Sequence, residues 1–177
     1  MSEHLKAKGY HCPVAIHYDD LPENVTVKEL FGTMRKDDVI AHVFQTKAET
    51  IFDENGKIKD CVWDAKKRGV YMDDCHGRVH WSYPNLQNAF SQSFYPDIIS
   101  SDLVRVSEYT RPGFSLLYAM SVNSAAGMPT EKILQSVTYT PAKSLGIEEK
   151  AGVIREGAPA DVAILDIRDV KDKTFTD

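Results

Sequence analysis

The sequence predicts an α/β fold in which the strands form a parallel sheet. Short apolar runs alternate with helical patterns along most of the chain, and this order is typical of βαβ units. The runs are mostly apolar rather than alternating, which is the pattern of strands buried on both faces of a parallel sheet. The chain has 177 residues, whereas a closed barrel of eight β/α units takes about 250. The chain is therefore too short to form a whole barrel of that kind.

Four apolar runs predict four consecutive strands. The runs cover residues 13–17, 39–44, 69–73 and 98–102. Helical patterns follow, with apolar residues spaced three and four apart. These patterns lie at residues 27–31, 62–70, 86–94, 116–120 and 133–137. Gly69 is expected to end the second helix.

Two segments interrupt this alternation. Residues 53–57 predict a turn within a polar insertion. Residues 153–166 predict two short strands around a Gly/Pro turn, and the charged residues 170–177 are expected to fray.

Charge and cysteine content exclude several classes of function. The net charge of −5 gives no basic surface for nucleic acid, and no apolar stretch is long enough to span a membrane. The N-terminus lacks the apolar core of a signal peptide. Cys12, Cys61 and Cys75 form no CxxC pair, so we expect reduced thiols in a cytoplasmic protein without a membrane or nucleic-acid partner.

Chemically active side chains occur near the ends of three predicted strands. These are His17, His42 and Asp102. Because the carboxyl ends of parallel strands meet at one edge, the three can share a site for zinc or a similar divalent metal. The alternative is that the histidines are structural and Asp102 caps a helix.

Other residues give weaker indications. Residues 73–77 follow the third predicted strand, and His76 either contacts a substrate or is an ordinary loop histidine. His80 and His11 are less persuasive, and the acids at 19–20 are interpreted as polar loop. The phosphate-binding motifs GxxxxGK and GxGxxG are absent from the sequence.

Three C-terminal motifs carry a family resemblance. They are TxxPAKxLG at 138–146, GxIxxG at 152–157 and ADxxxLD at 160–166. Together with His17, His42 and Asp102, they resemble the amidohydrolase superfamily, in its dihydroorotase-like amidohydrolase/deacetylase branch. The resemblance extends from about Leu5 to Ile167.

The resemblance implies a fold and a domain division. Residues 1–150 would form the C-terminal half, strands five to eight, of a TIM-type (β/α)8 barrel. Residues 151–169 would supply strands of a small accessory β-sandwich domain, and residues 170–177 a frayed tail. A half barrel exposes sheet edges and interior side chains, so we expect self-association or a separate N-terminal half.

The resemblance also implies a metal centre. His17 and His42 match the histidines that bind the second metal, and Asp102 matches the aspartate that binds the first metal and acts as general base. His76 and Gly77 match a pair that faces the substrate. One or two divalent metals, usually zinc, are implied. The His-x-His and the bridging lysine of the family's first half are absent, and Asp74-Cys75 stands where the family commonly has glycine.

The leading hypothesis is a metal-dependent amidohydrolase that cleaves a C–N bond in a small N-acyl amino acid or cyclic amide. One alternative is a truncated or degenerate remnant without catalysis that acts as an assembly or binding partner. Another is a complete open-sheet α/β protein that binds a ligand without metal.

Overall fold

A three-stranded parallel sheet lies at the centre of the structure. The strands are β1 Ala15–His17, β2 Val39–Ala41 and β3 Tyr71–Asp73, in the order β1-β2-β3. The register places His17 opposite Ala41, and Ala41 opposite Asp73, so the carboxyl ends of the three strands align. This computed structural model describes residues 12–47, 49–77, 79–108, 110 and 115–168. It confirms the predicted α/β class and the parallel pairing.

The fourth predicted strand, 98–102, is reduced to a single parallel bridge between Asp73 and Ile98. Main-chain bonds from Asp74 N to the Ile98 carbonyl and from His76 N to the Ser100 carbonyl keep the segment beside β3. The ladder does not continue, because the Ser100 amide donates to the Asp73 side chain instead of to a main-chain carbonyl. The segment still occupies the fourth position of the sheet.

Helices follow the strands as the sequence predicts. Thr26 and Glu29 form a capping box at the first helix, and Ser82 and Ser115 cap two others with their hydroxyls. Gly69 follows the second helix at φ +91°, a left-handed conformation that suits glycine. The helices are α1 Val27–Thr33, α2 Asp60–Lys67, α3 Tyr83–Ser91, α4 Leu116–Ala125, α5 Thr130–Val137 and α6 Tyr139–Ser144.

One continuous apolar core joins the sheet and the helices. Fully buried aromatic side chains occupy its centre, and Phe94 makes edge-to-face contacts with Phe44 and Trp63. Side chains from β2, β3 and from α1 through α5 belong to the same cluster. This core holds the three strand ends in a fixed arrangement.

The two strands predicted within 153–166 are not formed. Residues 151–168 contain no helix or strand, and Ile154 and Ile164 are 89% and 96% exposed. A strand requires a partner for its main-chain groups, and the described part of the chain places none beside this segment. Its assignment to an accessory domain stays a prediction.

The ends of the sequence lie outside the description. The predicted tail 170–177 falls there, and so does His11. Over the described ranges, none of the helices has the length and apolar character needed to cross a membrane.

Candidate metal centre

Two histidines meet where β1 and β2 end. His17 is the last residue of β1, and His42 directly follows β2. The register brings them side by side, with His17 Nδ1 3.2 Å from His42 Nε2 and ring centroids 4.3 Å apart. The predicted convergence of these two side chains is therefore present.

A hydrogen bond fixes the protonation pattern of His42. Its Nδ1 lies 2.9 Å from the Cys75 carbonyl oxygen. A carbonyl can only accept, so Nδ1 carries the hydrogen and, in the neutral ring, Nε2 keeps its lone pair. Burial, then the nearby His17, lower the pKa of His42 against the opposing effect of Asp102. The lowered pKa favours the neutral ring, whose Nε2 faces His17, and the neutral imidazole is the form that binds metal ions.

Asp102 approaches this nitrogen from the fourth segment. Its Oδ2 lies 4.0 Å from His42 Nε2. The approach depends on Gly77, because a Cβ at that position would overlap Asp102 Oδ2. Gly77 therefore leaves room for the carboxylate, a role that differs from the substrate contact implied by the resemblance.

Cys75 is a fourth donor that the sequence analysis did not select. Its side chain is buried, and its Sγ lies 3.5 Å from His42 Nε2. Burial, reinforced by Asp73 against a hydrogen bond from Ser100, raises the pKa of the thiol to about 12. The only sequence signal was that Asp74-Cys75 replaces a glycine usual in the family.

The backbone is in the left-handed region at three of these donors. The φ angles are +63° at His42, +42° at Cys75 and +47° at Asp102. Residues with a side chain rarely adopt such angles, and each costs of order 1–3 kcal/mol. Such conformations concentrate at functional sites, which agrees with the three side chains being turned toward one point.

A second group of donors adjoins His17. His80 Nδ1 lies 3.1 Å from Asp19 Oδ1, and His17 Nε2 lies 4.0 Å from Asp19 Oδ2. Burial raises the pKa of Asp19, but His80 and then Lys47 outweigh it and the pKa is lowered. The sequence favours neither His80 nor the acids at 19–20 as ligands. His80 lies far along the chain from His17 and Asp19, so the sequence does not show that the three side chains meet.

His76 lies in a buried polar cluster beside the candidate centre. Its ring is fully buried and packs 4.0 Å from that of Trp81. Its Nδ1 lies 3.6 Å from Asp74 Oδ2, and Asp74 accepts hydrogen bonds from Trp81 Nε1 at 2.7 Å and Asn123 Nδ2 at 2.8 Å. Neither ring nitrogen of His76 has a hydrogen-bond partner within the described chain. Its contact with a substrate stays a prediction.

The donor set fits a divalent metal. The unprotonated Nε2 of His42 faces a second imidazole and a carboxylate, and these are ligands that zinc and similar ions take. The ligand atoms of His42, Cys75 and Asp102 lie within 4.8 Å of one another, as do those of His17, Asp19 and His80. The close approach permitted by Gly77 adds an independent reason for the carboxylate to lie at this point.

Comparison with known proteins gives a consistent result. A deacetylase of Enterococcus faecalis is 27% identical over 178 aligned positions, which cover 100% of this chain and 47% of that protein. A solved adenine deaminase matches with a TM-score of 0.80 at 26% identity, over 89% of this chain and 42% of that one. A dihydroorotase matches with a TM-score of 0.65 at 26% identity, over 76% and 34%.

The chain thus spans about half the length of the curated relative, and less of the two structures. The family model described as "Amidohydrolase family" matches residues 6–177. The aligned strand ends, the convergent histidines and this match agree: the chain belongs to the amidohydrolase family.

Proposed function

We propose that this chain carries part of the active site of a metal-dependent hydrolase that cleaves the C–N bond of a small amide. The substrate class is an N-acyl amino acid, as for a deacetylase, or a cyclic amide. The single observation that carries the proposal is the meeting of neutral His42 with His17 and Asp102 at aligned strand ends. The deacetylase, deaminase and dihydroorotase likenesses support it.

The roles of the residues follow from their positions. His17, His42 and Asp102 would hold a divalent metal, for which zinc is the leading candidate. When bound, such a metal polarises a carbonyl and brings the pKa of its water to about 7. Asp102 is part-exposed, with 36% of its side chain accessible, so its carboxylate can take a proton from water and return it to the leaving nitrogen.

His76 and Gly77 would form the substrate side of the site. Buried His76 stands beside the centre and is proposed to orient the amide, and Gly77 keeps the space next to Asp102 open. The cluster of Asp74, Trp81 and Asn123 holds the loop that carries both residues.

We further propose that the 177 residues form the strand-five to strand-eight half of a TIM-type barrel. The support is the parallel order β1-β2-β3, followed by the bridged segment, and the share of the relatives that is covered. The remaining ligands, a His-x-His and a lysine, would come from residues outside this sequence, in the same polypeptide or a separate one. Self-association is the other arrangement that would cover β1, an edge of the described sheet.

A non-catalytic remnant is the second candidate function. Its support is the exposed apolar side chains of the 153–167 segment, notably Ile154, Ile164 and Ile167. Such side chains favour contact with a partner. In this case the chain would act in assembly rather than in hydrolysis.

Hydrolysis of N-acetyl amino acids and of a cyclic imide distinguishes the two candidates, measured for the zinc-loaded chain alone and together with a polypeptide that supplies the strand-one to strand-four half. The hydrolase proposal predicts product formation that is lost in Asp102→Asn and kept in Asp64→Asn, a matched change at an exposed aspartate. A zinc-loaded chain that hydrolyses neither class even with the strand-one to strand-four half present would favour the remnant.

A further inference from the structure

We propose that Cys75 is a thiolate ligand of the same metal, which makes the centre a mixed imidazole, carboxylate and thiolate site. This inference rests on the proposed function, since it requires a metal to be held at His42. It adds a ligand type that neither the family resemblance nor the comparisons assign.

The distances between donors agree with this ligand set. A tetrahedral zinc with bonds of about 2.3 Å to sulfur and about 2.0 Å to nitrogen separates sulfur from nitrogen by about 3.5 Å, and two nitrogens by about 3.3 Å. Cys75 Sγ lies 3.5 Å from His42 Nε2, and His17 Nδ1 lies 3.2 Å from that nitrogen. The sulfur is therefore already at ligand spacing from the histidine.

The loop after β3 positions this sulfur through two main-chain contacts. The Cys75 amide donates to Asp73 Oδ1 at 2.9 Å, and the Cys75 carbonyl accepts from His42 Nδ1 at 2.9 Å. The same residue thus fixes the His42 ring and presents its side chain to the opposite ring nitrogen. Any residue could provide the carbonyl, so the hydrogen bond alone does not explain a cysteine here.

The backbone conformation of Cys75 also supports a role for its sulfur. Cys75 has φ +42°, a region where glycine is free of strain and a residue with a Cβ is not. A side chain kept at such a position, buried and directed at the ring nitrogen of His42, indicates that the sulfur itself has a role. Thiolate is a soft ligand, so Cys75 would favour zinc, cadmium or cobalt over magnesium or calcium.

Cobalt substitution tests the proposal without any activity measurement. Co²⁺ bound by nitrogen and oxygen gives visible bands, whereas a thiolate ligand adds a charge-transfer band in the near ultraviolet. The matched background is Cys12→Ser/Cys61→Ser, in which Cys75 is the only remaining cysteine; Cys12 is exposed and Cys61 is part-buried. The Co²⁺ complex of this variant is compared with that of the wild type and of Cys75→Ser.

The proposal predicts the charge-transfer band in the wild type and in Cys12→Ser/Cys61→Ser, and its loss in Cys75→Ser. Circular dichroism of Cys75→Ser establishes that the variant is folded. Visible bands without the charge-transfer band in Cys12→Ser/Cys61→Ser would overturn ligation by Cys75 and leave the proposed function standing. The lack of any Co²⁺ absorption bands from the wild type would contradict both the ligation by Cys75 and the proposed function.

A second readout uses the reactivity of the thiol. In Cys12→Ser/Cys61→Ser, stoichiometric Zn²⁺ is expected to slow alkylation of Cys75 by iodoacetamide at least tenfold, because a metal-bound sulfur reacts poorly. His42→Ala in the same background should remove that protection. Equal alkylation rates with and without Zn²⁺, in a sample in which elemental analysis finds bound zinc, would overturn the proposal.

Discussion

The main-chain carbonyl of Cys75 and the Nδ1 of His42 form a 2.9 Å hydrogen bond between the ends of β3 and β2. This bond places the hydrogen on Nδ1 and leaves Nε2 of the neutral ring unprotonated. The loop after β3 thus sets the tautomer of a side chain at the end of the neighbouring strand β2. His17 and Asp102 then lie 3.2 Å and 4.0 Å from the same nitrogen. The candidate centre is thus built from four consecutive segments of the sheet.

Gly77→Ala should weaken metal binding with little loss of stability. The added Cβ would overlap Asp102 Oδ2 and displace the carboxylate from His42. We expect a fall in Zn²⁺ affinity of about tenfold or more, the scale seen when groups supporting a metal site are changed. Isothermal titration calorimetry measures it.

The matched control for that change is Gly32→Ala. A Cβ at Gly32 meets no atom within 4 Å, and the residue lies inside α1. Alanine should raise the free energy of unfolding by about 0.5–1 kcal/mol and leave Zn²⁺ affinity unchanged. Equal Zn²⁺ affinity in both variants would contradict the role assigned to Gly77.

Asp38 should make the free energy of unfolding depend on pH in the acid range. Its buried carboxylate accepts hydrogen bonds from the Val14 and Arg35 amides and pairs with the Arg35 guanidinium at 3.0 Å. Burial raises the pKa of Asp38, but the bonds from Arg35 and Val14 outweigh it and hold the pKa below its ordinary value. Because the pKa of Asp38 is lower in the folded chain than in the unfolded chain, where it is about 3.9, the ionised carboxylate stabilises the fold above that pH. This contribution is lost as the pH falls through the pKa of the folded state.

Asp38→Asn should accordingly cost about 2 kcal/mol of unfolding free energy at pH 7. Urea unfolding at pH 7 and at decreasing pH measures the difference from the wild type, which should shrink below about pH 4. A difference that stays constant across this range would show that the charge of Asp38 does not stabilise the fold.

Phe94 should be a major contributor to stability. Its ring is fully buried between Phe44 and Trp63, and the Lys66 Nζ lies 5.3 Å from its centroid. Phe94→Ala is expected to cost about 3–5 kcal/mol because it leaves a cavity in a packed core. Leu145→Ala is the control, since Leu145 is 72% exposed and should change stability by less than about 0.5 kcal/mol. Thermal unfolding followed by circular dichroism compares the two.

The buried Asp74 cluster should be sensitive to loss of a single donor. Asn123 Nδ2 donates to Asp74 Oδ2 at 2.8 Å, and both side chains are fully buried. Asn123→Ala leaves that oxygen unpaired, so we expect a loss of about 1–3 kcal/mol. The measurement is urea unfolding at pH 7. Asn88→Ala, at a part-buried asparagine on α3, is the comparison and should cost less; the reverse order would contradict the importance of the cluster.

Much of the sheet could be predicted from the sequence because buried parallel strands have a local signature. The apolar runs preceding His17 and His42 form β1 and β2, and the helical patterns form helices. Segment 98–102 was predicted too long, since a side chain of β3 replaced a ladder hydrogen bond. Residues 153–166 carry an equally apolar pattern but have no strand partner in the described structure. The sequence of a segment does not show whether a partner strand lies beside it.

The candidate site was predicted in part. His17, His42 and Asp102 could be selected because each lies at a strand end, where position along the chain reports position in space. His80 and Asp19 meet only through the path of the loops, and Cys75 is marked by a left-handed backbone that is invisible in one sequence. The full burial of His76 is likewise not visible in the sequence.

The most direct test of the account is the metal content of the purified chain, measured by elemental analysis on protein prepared without chelator. The wild type should contain a divalent metal in stoichiometric amount, and His17→Ala/His42→Ala should lose it, because these two rings provide the nitrogens that meet at 3.2 Å. Asp64→Asn, at an exposed carboxylate, should retain it. A wild-type chain that binds no metal after incubation with zinc, or a double variant that binds as much as the wild type, would contradict the assignment of this site.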